Sequence, residues 1–300
     1  LRAMGVAADN RTLFTLKEYL DHFFVSQDLK AILASQWGDY GLPPSLVAFA
    51  THAGLAVHYL NGGYYPDGGA GKILESVLPI LEAAGGSVLT NAQVETILLK
   101  DGRACGVRVN FSREGRSEDF YAPIIVSGAG AMLTYQQLIP ADYPVPFREQ
   151  LKDFYERERM ATSLCVYLGL SDSPATLGFA GENYWVLGST DHEENFRKRN
   201  YWLRDGSDTP SFYLSFPSLK DPQAKNHTAD VIAFTDYDIF APWKDLPWKK
   251  RGAEYDAFKA RIASTVIDSL ERRFPGFKSL VEYSEVSTPL TNEHFTAHPH

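Results

Sequence analysis

The sequence has little cysteine, no extended block of basic charge and no long uninterrupted run of apolar residues. Only two of its 300 residues are cysteines, Cys105 and Cys165, and no CxxC pair occurs, so neither a disulfide framework nor a zinc site is indicated. The formal net charge is −8, and the basic run at residues 249–251 is only three residues long, which argues against a nucleic-acid partner. These features predict a protein of a reducing, cytoplasmic environment.

No stretch of the sequence has the length and composition of a membrane span. The most apolar one, residues 46–60, carries His52 and His58 and falls short of the roughly 20 apolar residues that a bilayer requires. No signal peptide opens the chain. Because it begins at Leu1 and its last residues show neither a closing helix nor a tag, we expect a fragment that is cut at both ends.

Hydrophobic residues make up 44% of the sequence and charged residues 22%, which is ordinary for a globular protein of one large or two modest domains. Apolar spacing predicts helices at 15–24, 28–36, 45–59, 73–84, 147–159 and 254–274. Alternating or continuous apolar runs predict strands at 87–90, 94–99, 104–111, 120–121, 124–127, 162–170, 183–187, 211–216, 230–235 and 281–286. The sum is a mixed α/β (α+β) protein with hairpins and an antiparallel sheet.

Residues 124–130 imitate a dinucleotide-binding fingerprint. A run of four residues that reads as a buried strand is followed by Gly128, Ala129 and Gly130 and then by a helical pattern. The third glycine of GxGxxG is replaced by Leu133, and no acidic residue follows about twenty positions on. We therefore predict a strand, a turn and a helix here, but not the primary phosphate-binding loop.

The glycine-rich turn at residues 68–71 has two interpretations. Its backbone N–H groups could hold a phosphate at the start of a helix. It lacks the ending of a P-loop, because Lys72 is followed by Ile73, and a tight chain reversal is the favoured alternative.

Histidines and aromatics supply the other candidates. His294 and His298 are four residues apart, but nothing supplies a third metal ligand, so no metal site is predicted. Six aromatic residues precede the glycine-rich turn. They could line a pocket for a long apolar ligand or pack in a core. They are Trp37, Tyr40, Phe49, Tyr59, Tyr64 and Tyr65.

Several blocks, in a fixed order, closely resemble the family of phytoene desaturases, carotenoid isomerases and all-trans-retinol saturases. They are NGGYYPDGGAGKI (61–73), AAGG (83–86), TNAQVETI (90–97), DGRACGVRV (101–109) and APIIVSGA (122–129). Two further blocks, WGDYGLPP (37–44) and STPLT (287–291), are more similar to the retinol-saturase branch. The resemblance extends over nearly the whole chain.

This resemblance implies the middle part of a discontinuous FAD-binding domain together with a substrate domain. The implied FAD-binding parts are residues 62–135 and 287–300, and the implied substrate-domain parts are residues 1–61 and 136–286. Family members also carry an N-terminal GxGxxG segment and a C-terminal glycine-rich segment, neither of which is found in this sequence.

The resemblance also implies roles for individual residues. The backbone of Val94 would bind the adenine, and Ser127, Gly128 and Ala129 would lie near the adenosine. Residues of the glycine-rich turn and its flanks would form the cavity wall beside the flavin. They are Tyr64, Tyr65, Gly68, Gly69, Gly71 and Lys72. No catalytic acid or base is assigned.

The implied activity is FAD-dependent oxidation or reduction of C–C or C=C bonds in a lipophilic polyene of the carotenoid or retinoid type, by hydride transfer in a dry cavity. Two alternatives stay open: flavin-dependent cis–trans isomerisation, and a non-catalytic fragment that binds an apolar ligand. The expected partner is a lipophilic small molecule, and peripheral membrane association is compatible with it.

Overall fold

The computed structural model describes residues 14–157, 161–205 and 211–297. The chain divides into two compact units, Leu1–Leu74 with Met160–Thr291 and Glu75–Arg159 with Asn292–His300. These boundaries lie at different residues from those that the resemblance implied for the cofactor and substrate parts. That functional division stays a prediction.

Helices and antiparallel strands build both units, as the α/β (α+β) prediction requires. The α-helices are α1 Leu16–Phe23, α2 Gln27–Ala34, α3 Phe49–His58, α4 Gly71–Ala83, α5 Arg148–Arg157, α6 His192–Arg197, α7 Tyr201–Asp205, α8 Pro217–Lys220, α9 Ala253–Arg273, α10 Phe277–Leu280 and α11 Pro289–Thr296. The strands are β1 Gln93–Lys100, β2 Arg103–Phe111, β3 Arg116–Tyr121, β4 Thr162–Leu170, β5 Tyr184–Leu187, β6 Ser211–Ser215, β7 His227–Thr235 and β8 Val281–Ser287.

A capping box starts the first helix, as its sequence predicts. The Thr15 hydroxyl accepts a hydrogen bond from the Glu18 N–H at 3.1 Å, and the Glu18 carboxylate accepts one from the Thr15 N–H at 2.8 Å. Two of the four N–H groups without helical partners are satisfied in this way. Leu16 and Leu20 then face a small core between the N-terminal helices.

Helix α3 begins four residues later than its apolar pattern predicts. Ala48 is extended and forms an isolated antiparallel bridge with Thr15, and the Phe49 N–H donates to the Phe14 carbonyl at 2.8 Å. The backbone groups that would start a helix at Ser45 are therefore used to fix the chain against α1.

The first unit is built on a five-stranded antiparallel sheet in the order β5-β6-β7-β4-β8. One face is apolar and belongs to the main hydrophobic core, which also contains residues of α9 such as Ile262, Val266 and Leu270. The strict alternation of buried residues along β4 and β7 directs every second side chain to the other face. That second face positions the candidate site.

The second unit contains the predicted hairpin of β1 and β2, extended by β3 into a three-stranded antiparallel sheet. Its turn consists of Asp101 and Gly102, both with positive φ, which is the geometry that an Asp-Gly hairpin turn requires. A π-helix at Leu133–Leu138 and α5 follow the sheet in the chain.

Two strand predictions are wrong. Residues 87–90 and 124–127 form no strand and find no ladder partner in the described part of the chain. Val88 is 54% exposed and Val126 is 88% exposed, so these apolar runs are uncovered. The predicted strand–turn–helix at 124–133 therefore has its turn and its helix but not its strand.

None of the helices within the described ranges combines the length and apolar character needed to cross a bilayer. Cys105 and Cys165 are free thiols on β2 and β4, in agreement with the absence of a disulfide pattern. Within those ranges, His, Cys, Asp and Glu side chains form no group of three that could hold a metal ion. His298 lies outside the described residues.

Candidate functional site

The second face of the five-stranded sheet carries polar and aromatic side chains, whereas the first face carries the apolar side chains of the main core. Strand register places Tyr213 opposite Ile232, and Ser215 opposite Asp230, two residues further along. Tyr167 of β4 lies on the other side of Asp230. Because residues two apart on a strand share a face, these side chains form two adjacent cross-strand rows.

A cavity of about 940 Å³ lies over these rows, within the first unit. Its volume falls in the range of small-molecule sites. Its walls come from the sheet, from the segment that follows α3 and from loops at the end of β6. The lining residues are His58, Tyr59, Asn61, Gly62, Gly63, Tyr64, Tyr65, Gly181, Glu182, Asn183, Tyr213, Ser215, Pro217, Lys220, Asp230 and Ile232.

Lys220 is held in place at this cavity by two acceptors. Its ammonium donates to the Asn183 side-chain carbonyl and to the Ser215 hydroxyl, the latter at 2.6 Å. The Tyr65 ring centroid lies 6.0 Å from Nζ, at the outer limit of a cation–π contact. Burial lowers the pKa of Lys220, while the charge of Asp230 acts in the opposite direction.

Asp230 is a carboxylate on β7, between the buried residues Ala229 and Val231. Burial raises its pKa, and the Lys220 ammonium opposes that shift. Within the described part of the chain, no donor forms a hydrogen bond to its carboxylate. Burial also raises the pKa of the neighbouring Cys165 thiol to about 11 and that of the Tyr167 hydroxyl to about 12, so both are neutral at physiological pH.

Two buried histidines fix the N-terminal helices beside this sheet. The Tyr40 hydroxyl lies 2.8 Å from His52 Nδ1, and His52 Nε2 lies 2.8 Å from the Leu33 carbonyl oxygen. A carbonyl can only accept, so Nε2 carries the proton and Nδ1 accepts from the tyrosine. Burial lowers the pKa of His52, and the hydrogen bond to Leu33 opposes the shift.

His192 is used in the same way. The Trp37 indole N–H donates to His192 Nδ1 at 3.1 Å, and Nε2 donates to the Ala31 carbonyl at 2.8 Å. The Trp37 ring stacks on Phe234 with centroids 5.2 Å apart. Both histidines thus donate to carbonyls in the second half of α2, where helical carbonyls lack backbone partners.

The aromatic residues predicted for a pocket or a core divide between the two. Trp37 is 2% exposed and belongs to the interior, whereas Tyr59, Tyr64 and Tyr65 line the cavity. Tyr64 is 91% exposed, and its hydroxyl donates to the Asn61 carbonyl at 3.0 Å. Tyr64 and Tyr65 line this cavity, and their assignment to a substrate-cavity wall beside a flavin stays a prediction.

The glycine turn is a tight chain reversal. The Gly69 N–H donates to the Pro66 carbonyl at 2.9 Å, and the Gly68 N–H donates to the Asp221 carboxylate at 3.0 Å. Gly68 and Gly69 both have positive φ, which favours glycine. Because these amides already have acceptors, and one acceptor is an anion, the turn is a poor phosphate site.

Lys72 and Gly71 lie in the first turn of α4, are exposed and are not among the residues that line the cavity. A Cβ on Gly68 would lie 2.6 Å from the Lys72 side chain, so that side chain folds back over the turn. A role for Lys72 toward a cofactor stays a prediction.

The residues predicted near the adenosine belong to the second unit. Val94 is on β1, an edge strand, and an edge strand directs every second N–H and C=O away from the sheet. Ser127 and Gly128 are exposed, and the Ser127 and Thr134 hydroxyls lie 2.6 Å apart. Open backbone groups of this kind fit the main-chain contact expected of Val94, and the contact itself stays a prediction.

Sequence reasoning missed Lys220, Asn183, Ser215 and Asp230. A signal for one of them was present, because Asp230 is the only polar residue between Ala229 and Phe234, and a carboxylate within an apolar run is a candidate functional group. Lys220 ends the short helix α8 and Asn183 lies in the loop before β5, and no local pattern reveals their approach to the sheet.

No protein-family model matches the chain. The all-trans-retinol 13,14-reductase of Danio rerio is 31% identical over 296 residues, which are 95% of this chain and 48% of that protein. Prolycopene isomerase 2 of an Oncidium hybrid cultivar is 29% identical over 245 residues, covering 81% of this chain and 38% of that protein. The chain thus spans about half the length of the reductase and less of the isomerase.

A crystal structure of an oxidoreductase from Methanosarcina mazei has the same fold over most of the chain. The TM-score is 0.60 at 14% sequence identity, with 92% of this chain and 56% of that chain covered.

Proposed function

The chain belongs to the family that contains the all-trans-retinol 13,14-reductases and the prolycopene isomerases, and we propose that it acts in an FAD-dependent oxidoreductase whose substrate is a lipophilic polyene. The observation that carries the proposal is the cavity on the second face of the five-stranded sheet. Four tyrosine rings, Pro217 and Ile232 in its lining offer contact surface to an apolar chain beside the polar groups of the cavity.

FAD is the cofactor that this proposal requires. When bound, it would donate or accept the hydride that a change in C=C bond order needs. Val94 would hold the adenine through its backbone, and Ser127, Gly128 and Ala129 would lie on the adenosine side. In the first unit, Tyr64 and Tyr65 would form cavity wall, whereas Gly68 and Gly69 are not among the lining residues.

The residues of this chain would contribute positioning and exclusion of water. Tyr213 and Ile232 present apolar surface on the floor of the cavity, and removal of water strengthens the polar contacts that remain. The acid or base that moves a proton is not assigned. Since a lipophilic substrate is delivered from a membrane or a carrier, peripheral association with a membrane forms part of the proposal.

The proposal is tested by the mass of the product. The protein is incubated with a polyene, with and without FAD and a reductant, and the product is analysed by mass spectrometry. A FAD-dependent gain or loss of two hydrogens supports it. Binding without conversion in all conditions would overturn the oxidoreductase and favour a non-catalytic ligand-binding role.

Isomerisation is the second candidate, favoured by the match to a prolycopene isomerase. It predicts a FAD-dependent change in the absorption spectrum with no change in mass. The variant Ile232→Trp, which fills the cavity, is expected to abolish either conversion. Val25→Trp is its control, because Val25 is 95% exposed and does not line the cavity.

A further inference from the structure

The floor of the cavity has two rows of different chemistry. The row formed by Tyr213 and Ile232 is apolar, and Trp185 extends it, with its ring centroid 4.9 Å from that of Tyr213. The row formed by Ser215 and Asp230 is polar. Adjacent rows on one face are about 7 Å apart, so a ligand lying along the strands meets both.

Lys220 lies beside the polar row, and one N–H group of its ammonium has no acceptor among the described residues. An ammonium group has three N–H bonds, and two of them are directed to Asn183 and Ser215. The third has no acceptor among the described residues. The two acceptors hold Nζ beside Ser215, which faces Asp230 across the strand pair.

Asp230 supplies the complementary group. Its carboxylate accepts no hydrogen bond from the described residues although it is largely withdrawn from water, and a polar group in that position costs free energy until it finds a partner. A spare donor and an unsatisfied acceptor therefore face the same part of the cavity.

We propose that Lys220 and Asp230 select the end group of the ligand and that they take an uncharged hydroxyl. Lys220 donates to the hydroxyl oxygen, and the hydroxyl proton is donated to Asp230, while the polyene chain lies over Tyr213 and Ile232. The inference rests on the proposed function, because it assumes that a polyene occupies this cavity.

Other end groups fit less well. A hydrocarbon end would bury Lys220 and Asp230 without a partner. A carboxylate end could accept from Lys220, but it has no proton to donate to Asp230, whose charge repels it. A site built to hydrogen-bond a hydroxyl discriminates strongly against an analogue that lacks it.

The test is a binding titration with three probes that share one chain: all-trans-retinol, the hydrocarbon in which a methyl group replaces its CH2OH, and all-trans-retinoic acid. Quenching of tryptophan fluorescence gives each Kd. We expect the alcohol to bind at least about tenfold tighter than the hydrocarbon and the acid. Equal affinities, or tightest binding of the acid, would overturn the assignment with no variant needed.

Variants of Lys220 and Asp230 test whether these residues cause the preference for the alcohol. Lys220→Met is expected to remove the difference in Kd between the alcohol and the hydrocarbon. Lys225→Met is the control, because Lys225 is an exposed lysine in the loop that follows α8 and does not line the cavity. Asp230→Asn serves as the second variant if Lys220→Met does not fold, as judged by circular dichroism.

The outcomes separate the two proposals. Polyene binding without an end-group preference, or equal loss of all three probes in Lys220→Met, overturns the role of the polar row and leaves the proposed function standing. Failure of all three probes to bind the wild-type protein overturns both.

Discussion

Gly38 lies directly against the indole ring of Trp185. A Cβ atom on residue 38 would be 2.2 Å from Trp185 Cζ3, so no side chain fits there without movement of the ring. Trp185 belongs to the apolar row of the cavity floor through its contact with Tyr213. The glycine therefore controls how an N-terminal segment packs on the sheet.

The first prediction is that Gly38→Ala destabilises the protein and displaces Trp185. The overpacked side chain should lower the free energy of unfolding by about 1–3 kcal/mol, measured by urea titration, and shift the emission maximum of the tryptophan fluorescence. Gly54→Ala is the control, since Gly54 lies inside α3 with no atom within 4 Å of an added Cβ. That change should stabilise by about 0.5–1 kcal/mol.

A second prediction concerns His52, whose pKa burial lowers below its ordinary 6.5. The unfolded chain therefore binds a proton at a higher pH than the folded protein does. The contribution of His52 to the free energy of unfolding is therefore fully present above about pH 6.5. It is lost as the pH drops through about 6.5 toward the pKa of the folded protein, by at most about 1.4 kcal/mol per pH unit.

His52→Gln should remove this part of the pH dependence. Glutamine keeps a donor for the Leu33 carbonyl but does not titrate. Urea titrations of both proteins between about pH 5 and 8 test this, because their difference cancels the groups that titrate alike in the two proteins. Parallel stability curves would contradict the prediction.

A third prediction concerns Asp230, whose pKa burial raises. Here the folded protein keeps a proton to higher pH than the unfolded chain. The stabilising contribution is complete below the ordinary value of 3.8 and is lost as the pH rises through the folded pKa.

Asp230→Asn should therefore gain stability relative to the wild type as the pH rises from about 4 to 7. Chemical unfolding at several pH values measures the difference. Asp245→Asn, at an exposed aspartate of the same unit, is the matched control for exchanging carboxylate for amide. A difference that is constant or falls with pH would show that Asp230 is not desolvated as described.

Local signals predicted the elements whose determinants are local. The capping box at Thr15 and the Asp101-Gly102 turn satisfy backbone groups within a few residues, so α1 and the hairpin of β1 and β2 form where the sequence indicates. The strands of the large sheet were likewise visible, because one buried face imposes a period of two.

The failures have a different origin. Residues 124–127 are apolar enough for a buried strand, but a strand must also form hydrogen bonds to a neighbouring strand. The sequence of the run does not indicate whether such a neighbour is present. The same holds for Lys220, which reaches the cavity from the end of α8 and acquires its surroundings only when Asn183 and Ser215 come together. The polar row of the cavity is therefore formed by tertiary contacts, and no motif in the sequence predicts it.

The measurement that tests the central claim most directly is photo-crosslinking of a polyene alcohol that carries a diazirine on its chain, followed by peptide mass spectrometry. The account predicts labelling of the segment at residues 58–65 and of β6 and β7 around Tyr213 and Ile232, and its loss in Ile232→Trp. Labelling confined to residues 75–159, or unchanged in that variant, would contradict the assignment of this cavity as the polyene site.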